Sequence, residues 1–199
     1  MKVLCLDLEG VLIPEIWQAV AERTGIEALN KTTRDIPVYD DLMQYRLALA
    51  AKHGLTMSLI REVIDELQPL DGADAFLQWA RSELQVVIVS DTFYEFAQPL
   101  MTKLGQPMLL CHRLEIEADR ITGYQLRQPD PKRRAVQAFK SLGFSVVAAG
   151  DSYNDVAMLE EADAGFFFCA PANVLAEYPQ YPPAASYAEL RELIESVRE

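Results

Sequence analysis

A short apolar run that breaks into acidic residues opens the chain, and it constrains the fold more than any other feature. Residues 3–8 have the length and the flanking signals of a strand buried on both faces, as in a parallel sheet. Asp7 lies at the C-terminal end of this run, and Glu9 follows closely. A buried carboxylate is costly unless a cation lies beside it, and open α/β sheets bind ligands at the carboxyl ends of their strands. The stretch therefore predicts a cation site at Asp7 and Glu9.

Further apolar runs alternate with helical patterns along the chain. We predict strands at residues 86–89, 107–111, 146–149 and 165–168, and a hairpin formed by residues 113–117 and 121–125. Strands that alternate with helices predict an α/β fold built on a doubly wound parallel sheet of the Rossmann-like type. Residues 13–69 show helical patterns with one predicted loop, at residues 32–37, and no strand pattern. We therefore expect a small α-helical cap there, inserted after the first strand of a core domain made of residues 1–12 and 70–199.

Capping residues mark the starts of three predicted core helices. Asp71, Asp130 and Ser186 are the expected N-caps, with Pro131 at the first helical position after Asp130. Ser186 is followed by Glu189 at the spacing of a capping box.

The composition limits the classes of partner. The net charge of −12 argues against a nucleic-acid partner, which requires a basic surface. No apolar run has the length of a membrane span, and the N-terminus lacks a signal-peptide pattern, so we expect a cytoplasmic protein with no membrane partner. Cys5, Cys111 and Cys169 form no CxxC pair, and we expect buried free thiols.

Polar side chains follow three of the predicted strands. Asp7, Ser90 and Asp151 should meet at one edge, because parallel strands have their carboxyl ends together. Two carboxylates and a backbone carbonyl suit Mg²⁺, whereas zinc is not expected because no His or Cys lies near these strand ends. Ser90 and Lys132 can hold a phosphoryl group. An aspartate beside a metal can attack phosphorus, and Glu9 can transfer protons.

Four motifs resemble those of the haloacid-dehalogenase-like phosphatase superfamily. They are DLEGV at 7–11, SDT at 90–92, Lys132, and GDSYND at 150–155. Longer segments, at 6–11, 14–17, 32–37 and 90–96, resemble one bacterial branch of that superfamily, the phosphoserine phosphatases that also act as homoserine phosphotransferases. The likeness extends over nearly the whole chain.

This resemblance implies a role for each motif residue. Asp7 is expected to be the nucleophile and a Mg²⁺ ligand, with Asp151 as a further ligand. Glu9 is expected to offer its backbone carbonyl to Mg²⁺ and its side chain as general acid and base, although most members of the superfamily carry Asp at this position. By the same resemblance, Ser90 and Lys132 are expected to hold phosphoryl oxygens, Asn154 and Asp91 to bind substrate, and Asp155 to support the metal ligands from behind.

Two cap residues are expected to recognise the rest of the substrate. Arg46 lies on the apolar face of a predicted helix and needs an anionic partner. That partner is either a structural carboxylate or, as the resemblance implies, the substrate carboxylate. Glu15 is expected in the first turn of a helix, where it either serves the helix dipole or, by the same resemblance, binds the substrate ammonium. Together with the phosphoryl site, these roles describe O-phospho-L-serine.

The sequence leads to one main hypothesis and two alternatives. The main hypothesis is a Mg²⁺-dependent phosphoserine phosphatase that forms an aspartyl phosphate, and the resemblance adds homoserine as a second acceptor. One alternative is a phosphatase of another small phosphomonoester. The other is a non-enzymatic phospho-acceptor switch, against which the predicted cap argues because a switch needs no lid.

Overall fold

The computed structural model describes residues 1–33, 35–36 and 38–198. The described residues form a seven-stranded sheet, and its strands are β1 (Lys2–Leu6), β2 (Gln85–Phe93), β3 (Met108–Glu117), β4 (Arg120–Gln125), β5 (Ser145–Gly150), β6 (Ala164–Phe168) and β7 (Pro183–Ala184). The helices that follow β2 are α5 (Tyr94–Lys103), α6 (Pro131–Ser141), α7 (Val156–Glu161), α8 (Ala172–Glu177) and α9 (Tyr187–Ser196). Between β1 and β2 lie α1 (Ile16–Thr24), α2 (Tyr39–His53), α3 (Met57–Glu66) and α4 (Ala73–Glu83).

The sheet is mostly parallel and has its first strand at the centre. Its order is β4-β3-β2-β1-β5-β6-β7, and β4 is the antiparallel strand. One apolar cluster joins one sheet face to α4, α5 and α9, and a second cluster joins the other face to α6, α7 and α8. The expected doubly wound α/β fold is confirmed.

The register brings the carboxyl ends of the central strands together. Leu6 pairs with Ile88 of β2 and with Ala149 of β5. The next backbone amide, that of Asp7, donates to the Ala149 carbonyl at 3.0 Å. The residues that follow β1 and β5 therefore leave the sheet side by side.

The residues inserted after β1 form helices that contact the rest of the chain at several points. The N-terminus of α3 is held by Asp119, whose carbonyl accepts from the Met57 amide and whose carboxylate accepts from Ser58. At the other end of α3, the Lys103 ammonium donates to the carbonyls of Asp65 and Leu67. Helix α3 is thus fixed to the β3–β4 turn and to α5.

Several local expectations were wrong. Helix α4 begins after Gly72, which has φ +85°, so Asp71 is not its N-cap. Asp130 occupies the N-cap position of α6 without a capping hydrogen bond, because its carboxylate pairs with Arg133 instead. Ser186 does cap α9 by accepting from the Glu189 amide. Cys169 is exposed rather than buried.

Other differences concern strand length and short elements. The strands expected at 107–111 and 113–117 form the single strand β3 (Met108–Glu117), and β2 continues to Phe93. Helix α8 and strand β7 were not expected. Of the loop predicted at 32–37, Arg34 and Pro37 lie outside the described residues. None of the helices in the described part of the chain combines the length and the apolar composition needed to span a membrane.

Candidate active site

Three carboxylates converge where β1 and β5 end. Asp7, Asp151 and Asp155 each place an oxygen within 4.8 Å of the others. Two glycines leave the space for them. A Cβ on Gly10 would lie 2.5 Å from Asp151 Oδ2, and a Cβ on Gly150 would lie 2.2 Å from Asp155 Cγ. Any side chain at either position would displace a carboxylate of the cluster.

Asp155 is fully buried, and both of its carboxylate oxygens are used by the protein. Oδ1 accepts from Lys132 at 2.6 Å. Oδ2 accepts from the backbone amides of Asp151 at 2.9 Å and Ser152 at 3.0 Å. Asp155 therefore fixes the turn that carries Asp151 and, as the sequence predicted, lies behind the other two carboxylates.

Asp7 combines a paired and an unpaired oxygen in a buried position. Its side chain is 6% exposed, and Oδ2 lies 3.0 Å from Lys132 Nζ. Oδ1 is buried and has no hydrogen-bond partner among residues 1–33, 35–36 and 38–198. Burial and then repulsion from Asp155 raise the pKa of Asp7, and the Lys132 ammonium only partly opposes them. Further positive charge beside Asp7 would therefore favour its ionised form.

Lys132 holds three carboxylates together from the first turn of α6. Its ammonium contacts Asp155, Asp7 and, at 3.8 Å, Asp91. Burial alone would lower the pKa of Lys132, but the three carboxylates outweigh it and raise the pKa above its ordinary value. The lysine is therefore a permanent cation at the base of the site.

The segment 90–92 leaves the ladder between β2 and β3. The register of that ladder shifts between Val89 and Phe93. The Ser90 hydroxyl oxygen is buried and accepts from the Thr92 amide at 3.3 Å. The hydroxyl proton takes no part in this hydrogen bond and can be donated into the cavity.

Asp91 lies beside Ser90 and is held on several sides. Its Oδ2 accepts from Asn154 Nδ2 at 2.9 Å, and His112 Nε2 lies 3.6 Å from Oδ1. Burial acts to raise the pKa of Asp91, but the Lys132 ammonium and the contacts with His112 and Asn154 outweigh it and lower the pKa to about 2. Asp91 is therefore a fixed negative charge in the wall of the site.

Sequence reasoning missed His112 and Tyr39. His112 is buried, and its Nδ1 accepts from the Arg127 amide at 3.2 Å, so that Nε2 carries the proton facing Asp91. The expectation that no His lies near the strand ends was wrong. A lone His in an apolar strand does not indicate a functional role by itself, and the contact of His112 with Asp91 depends on the register shift between β2 and β3. Tyr39, which donates to the Asp91 carbonyl at 2.6 Å, begins a helix that is distant in sequence.

The inserted helices supply the other side of the cavity. Glu9 Oε2 accepts from the Ile16 amide at 2.9 Å, so the glutamate side chain is tied to the N-terminus of α1. Glu15 was expected in the first turn of α1, but it occupies the N-cap position just before that helix, where the backbone is extended. Both acids line the same cavity as Arg46, Asp7 and Asp151.

Arg46 faces this cavity from the buried side of α2. One guanidinium nitrogen donates to the Lys31 carbonyl at 3.0 Å, and the group lies 5.2 Å from the centre of the Trp17 ring. The Nε atom is buried and has no hydrogen-bond partner within the described part of the chain. Burial lowers the pKa of Arg46, and the nearby Glu9 carboxylate opposes that effect. A hydrogen-bond donor is thus available opposite the carboxylate cluster.

The comparisons with known proteins identify the family of the chain. The chain belongs to the haloacid dehalogenase-like hydrolase family, whose sequence model matches residues 5–160. It is 61% identical over 192 residues to phosphoserine phosphatase ThrH of Pseudomonas aeruginosa, covering 96% of this chain and 94% of the relative. It is 59% identical over 192 residues to a phosphoserine phosphatase of Pseudomonas syringae pv. tomato, covering 96% of this chain and 81% of that relative.

A solved structure shares the fold over the full length. A phospho-aspartyl intermediate analogue of phosphoserine phosphatase superposes with a TM-score of 0.80 at 20% identity, covering 98% of both chains. At that identity the likeness concerns the arrangement of strands and helices.

Proposed function

We propose that this protein is a phosphoserine phosphatase that works through an aspartyl phosphate. The observation that carries the proposal is one cavity lined by two chemically different sets of side chains. Asp7, Ser90 and Asp151 form one set, and Arg46 and Glu15 form the other. We assign the first set to a phosphoryl-binding end and the second to an end that binds a carboxylate and an ammonium group. The names of the two Pseudomonas relatives support the same substrate.

Mg²⁺ is the cation that this donor set fits. Asp7 Oδ1 is a buried oxygen without a partner in residues 1–33, 35–36 and 38–198, and it lies in the cluster with Asp151. Carboxylate oxygens are the ligands that Mg²⁺ prefers. We propose Asp7, Asp151 and the backbone carbonyl of Glu9 as its ligands. When bound, the ion supplies positive charge that neutralises the carboxylates and the phosphoryl oxygens.

The reaction divides into two displacements at phosphorus. A carboxylate oxygen of Asp7 attacks phosphorus, the bond from phosphorus to the serine oxygen breaks, and Glu9 protonates the departing oxygen. Glu9 then removes a proton from water, which attacks the phosphorus of the aspartyl phosphate. The bond from phosphorus to Asp7 breaks and inorganic phosphate leaves. The hydrogen bond from the Ile16 amide orients Glu9 for both proton transfers.

Ser90 and Lys132 hold the phosphoryl oxygens during both displacements. Ser90 donates its hydroxyl proton, and Lys132, charged and buried, contributes its field from beneath Asp7. Asn154 is positioned at the same end by its hydrogen bond to Asp91, and we assign both to the substrate-binding wall.

The opposite end of the cavity selects phosphoserine. Arg46 binds the substrate carboxylate through the donor that the described protein leaves unused, and Glu15 binds the ammonium group. Residues 13–69 act as the cap over this end, and residues 1–12 and 70–199 act as the core. If homoserine occupies the site after serine leaves, its hydroxyl attacks the aspartyl phosphate in place of water. We propose this transfer as a second reaction. The cytoplasmic location stays a prediction, to be tested by cell fractionation.

Phosphate release from O-phospho-L-serine with Mg²⁺ tests the proposal. Wild type should turn over many times, and Asp7→Asn should be inactive while Asp74→Asn, an exposed acid in α4, keeps full activity. Retained activity in Asp7→Asn would contradict the nucleophile. Equal turnover of unrelated small phosphomonoesters would favour the broader phosphatase, and a single turnover would favour the phospho-acceptor switch.

A further inference from the structure

Tyr39 connects the first turn of α2 with the strand end that carries Ser90. Its hydroxyl donates to the Asp91 carbonyl at 2.6 Å. Its ring packs edge-on against His112 and Tyr124, with ring centres 5.9 Å and 6.3 Å away. Burial, followed by the Asp91 carboxylate, raises the pKa of Tyr39, so the phenol remains a neutral donor. The contact therefore links an inserted helix to segment 90–92.

The carbonyl that Tyr39 contacts belongs to the peptide unit shared by Asp91 and Thr92. On the far side of that unit, the Thr92 amide donates to Ser90 Oγ at 3.3 Å. In a trans peptide the carbonyl and the amide point in opposite directions, and the described chain has no cis peptide bonds. One rigid plane thus has the Tyr39 hydroxyl at one end and the Ser90 hydroxyl at the other.

The orientation of this plane is not set by the sheet. The β2–β3 ladder shifts register between Val89 and Phe93, which spans the three residues concerned. The Asp91 side chain is fixed separately, by Asn154 and His112. A peptide outside the regular ladder can rotate, and rotation would turn the Thr92 amide away from Ser90. A donor at the Asp91 carbonyl opposes that rotation and strengthens the amide as a donor through polarisation.

We propose that Tyr39 is a positioning residue for the phosphoryl-binding serine. By holding the Asp91 carbonyl, it keeps the Thr92 amide on Ser90 Oγ, so that the Ser90 proton points at the phosphoryl group. This inference rests on the proposed role of Ser90 in the phosphatase reaction. If Tyr39 has this role, Ser90 is correctly aligned only when α2 lies against segment 90–92. The requirement is the same for every phosphomonoester substrate, because it concerns the phosphoryl group alone.

The test is a double-mutant cycle with Tyr39→Phe and Ser90→Ala. Tyr39→Phe removes one hydroxyl, and one hydrogen bond corresponds to a kcat roughly 3- to 10-fold lower. The loss should be equal for phosphoserine and 4-nitrophenyl phosphate, with KM nearly unchanged, because the effect lies at the phosphoryl end. In the Ser90→Ala background, Tyr39→Phe should have no further effect. Tyr124→Phe, which removes the neighbouring hydroxyl bonded to Asp40, is the matched control and should leave kcat unchanged.

Two kinetic results would overturn the proposal. If Tyr39→Phe lowers kcat equally with and without Ser90, the two residues act independently. If the loss is confined to phosphoserine and appears in KM, Tyr39 contacts the amino-acid part of the substrate.

A binding measurement separates this proposal from the proposed function. Inorganic phosphate is titrated into each of the four proteins of the double-mutant cycle in the presence of Mg²⁺, and its affinity is measured by calorimetry. This measurement needs no turnover. A protein that binds phosphate but hydrolyses no phosphomonoester would contradict the proposed function. The phosphate affinities of the four proteins would still decide the role of Tyr39. Additive losses of affinity, or no phosphate binding by wild type, would overturn the role of Tyr39.

Discussion

Replacing Lys132 by Met tests whether the buried ion network holds the site together. Met keeps most of the length of the side chain and removes its charge, which leaves Asp7 and Asp155 without their cation. The lysine side chain is 2% exposed and its ammonium lies 2.6 Å from Asp155 and 3.0 Å from Asp7. Removing one partner from a buried pair typically destabilises a protein by about 3–5 kcal/mol. For a chain of this size the melting temperature should fall by roughly 6–20 °C.

Lys140→Met is the matched control, because it makes the same change on the same helix. Lys140 is 37% exposed and lies 3.3 Å from Asp163. An exposed pair of this kind contributes less than about 1 kcal/mol. Both variants are compared with wild type by calorimetry and urea unfolding in metal-free buffer.

The pH dependence of the difference gives an independent check. Lys132 opposes the burial and the repulsion from Asp155 that raise the pKa of Asp7, so without Lys132 this pKa rises further and the variant recovers stability as Asp7 binds a proton. The stability gap between wild type and Lys132→Met should shrink when the pH is lowered from about 8 to about 5. A loss no larger than that of Lys140→Met, or a gap that does not change with pH, would refute the reasoning.

Three further outcomes are expected. Arg46→Met should lower kcat/KM for phosphoserine roughly 10- to 150-fold, the range for a hydrogen bond to a charged group, and leave 4-nitrophenyl phosphate almost unaffected; equal losses for both substrates would exclude a role in binding the carboxylate. Gly10→Ala should raise the Mg²⁺ concentration needed for half-maximal activity, because the new Cβ would lie 2.5 Å from Asp151 Oδ2, whereas Gly143→Ala, at φ +85° with nothing within 4 Å, reports backbone strain alone and should leave that concentration unchanged. Asp91→Asn should lower the free energy of unfolding by about 2 kcal/mol near neutral pH, because the pKa of Asp91 falls from 3.8 to about 2 on folding. A carboxylate with a lowered pKa stabilises the folded protein at pH values above its pKa in the unfolded chain, so the difference between variant and wild type should disappear between about pH 4 and pH 2 in an acid titration of stability. A difference that persists at about pH 2 would contradict this explanation.

The central sheet and the residues at its edge could be predicted from the sequence. Apolar runs buried on both faces identify strands β1, β2 and β5, and the polar residues that interrupt them mark the strand ends. Because parallel strands align their carboxyl ends, Asp7, Ser90 and Asp151 could be placed together without knowing the strand order.

The contacts that depend on register could not be predicted in this way. His112 approaches Asp91 only because β2 shifts relative to β3 between Val89 and Phe93. Periodicity carries no information about such a shift. For the same reason Tyr39, at the start of a helix, showed no sign of its contact with the Asp91 carbonyl.

The predictions of short elements and helix caps failed for local reasons. Helix α8 has six residues and strand β7 has two, which is too short for a periodic pattern. Asp130 was expected to cap α6, but Arg133 competes successfully for its carboxylate. Propensity identifies residues able to cap a helix, whereas competition from neighbouring side chains decides whether they do so.

The most direct test of the account is to trap the phosphorylated enzyme. Wild type is mixed with phosphoserine and Mg²⁺, quenched in acid within milliseconds and digested, and the peptide containing Asp7 is examined by mass spectrometry. We expect a mass increase of one phosphoryl group on Asp7, formed before free phosphate accumulates and absent in Asp7→Asn. Phosphate release with no modified peptide, or modification of another residue, would contradict the claim that Asp7 accepts the phosphoryl group.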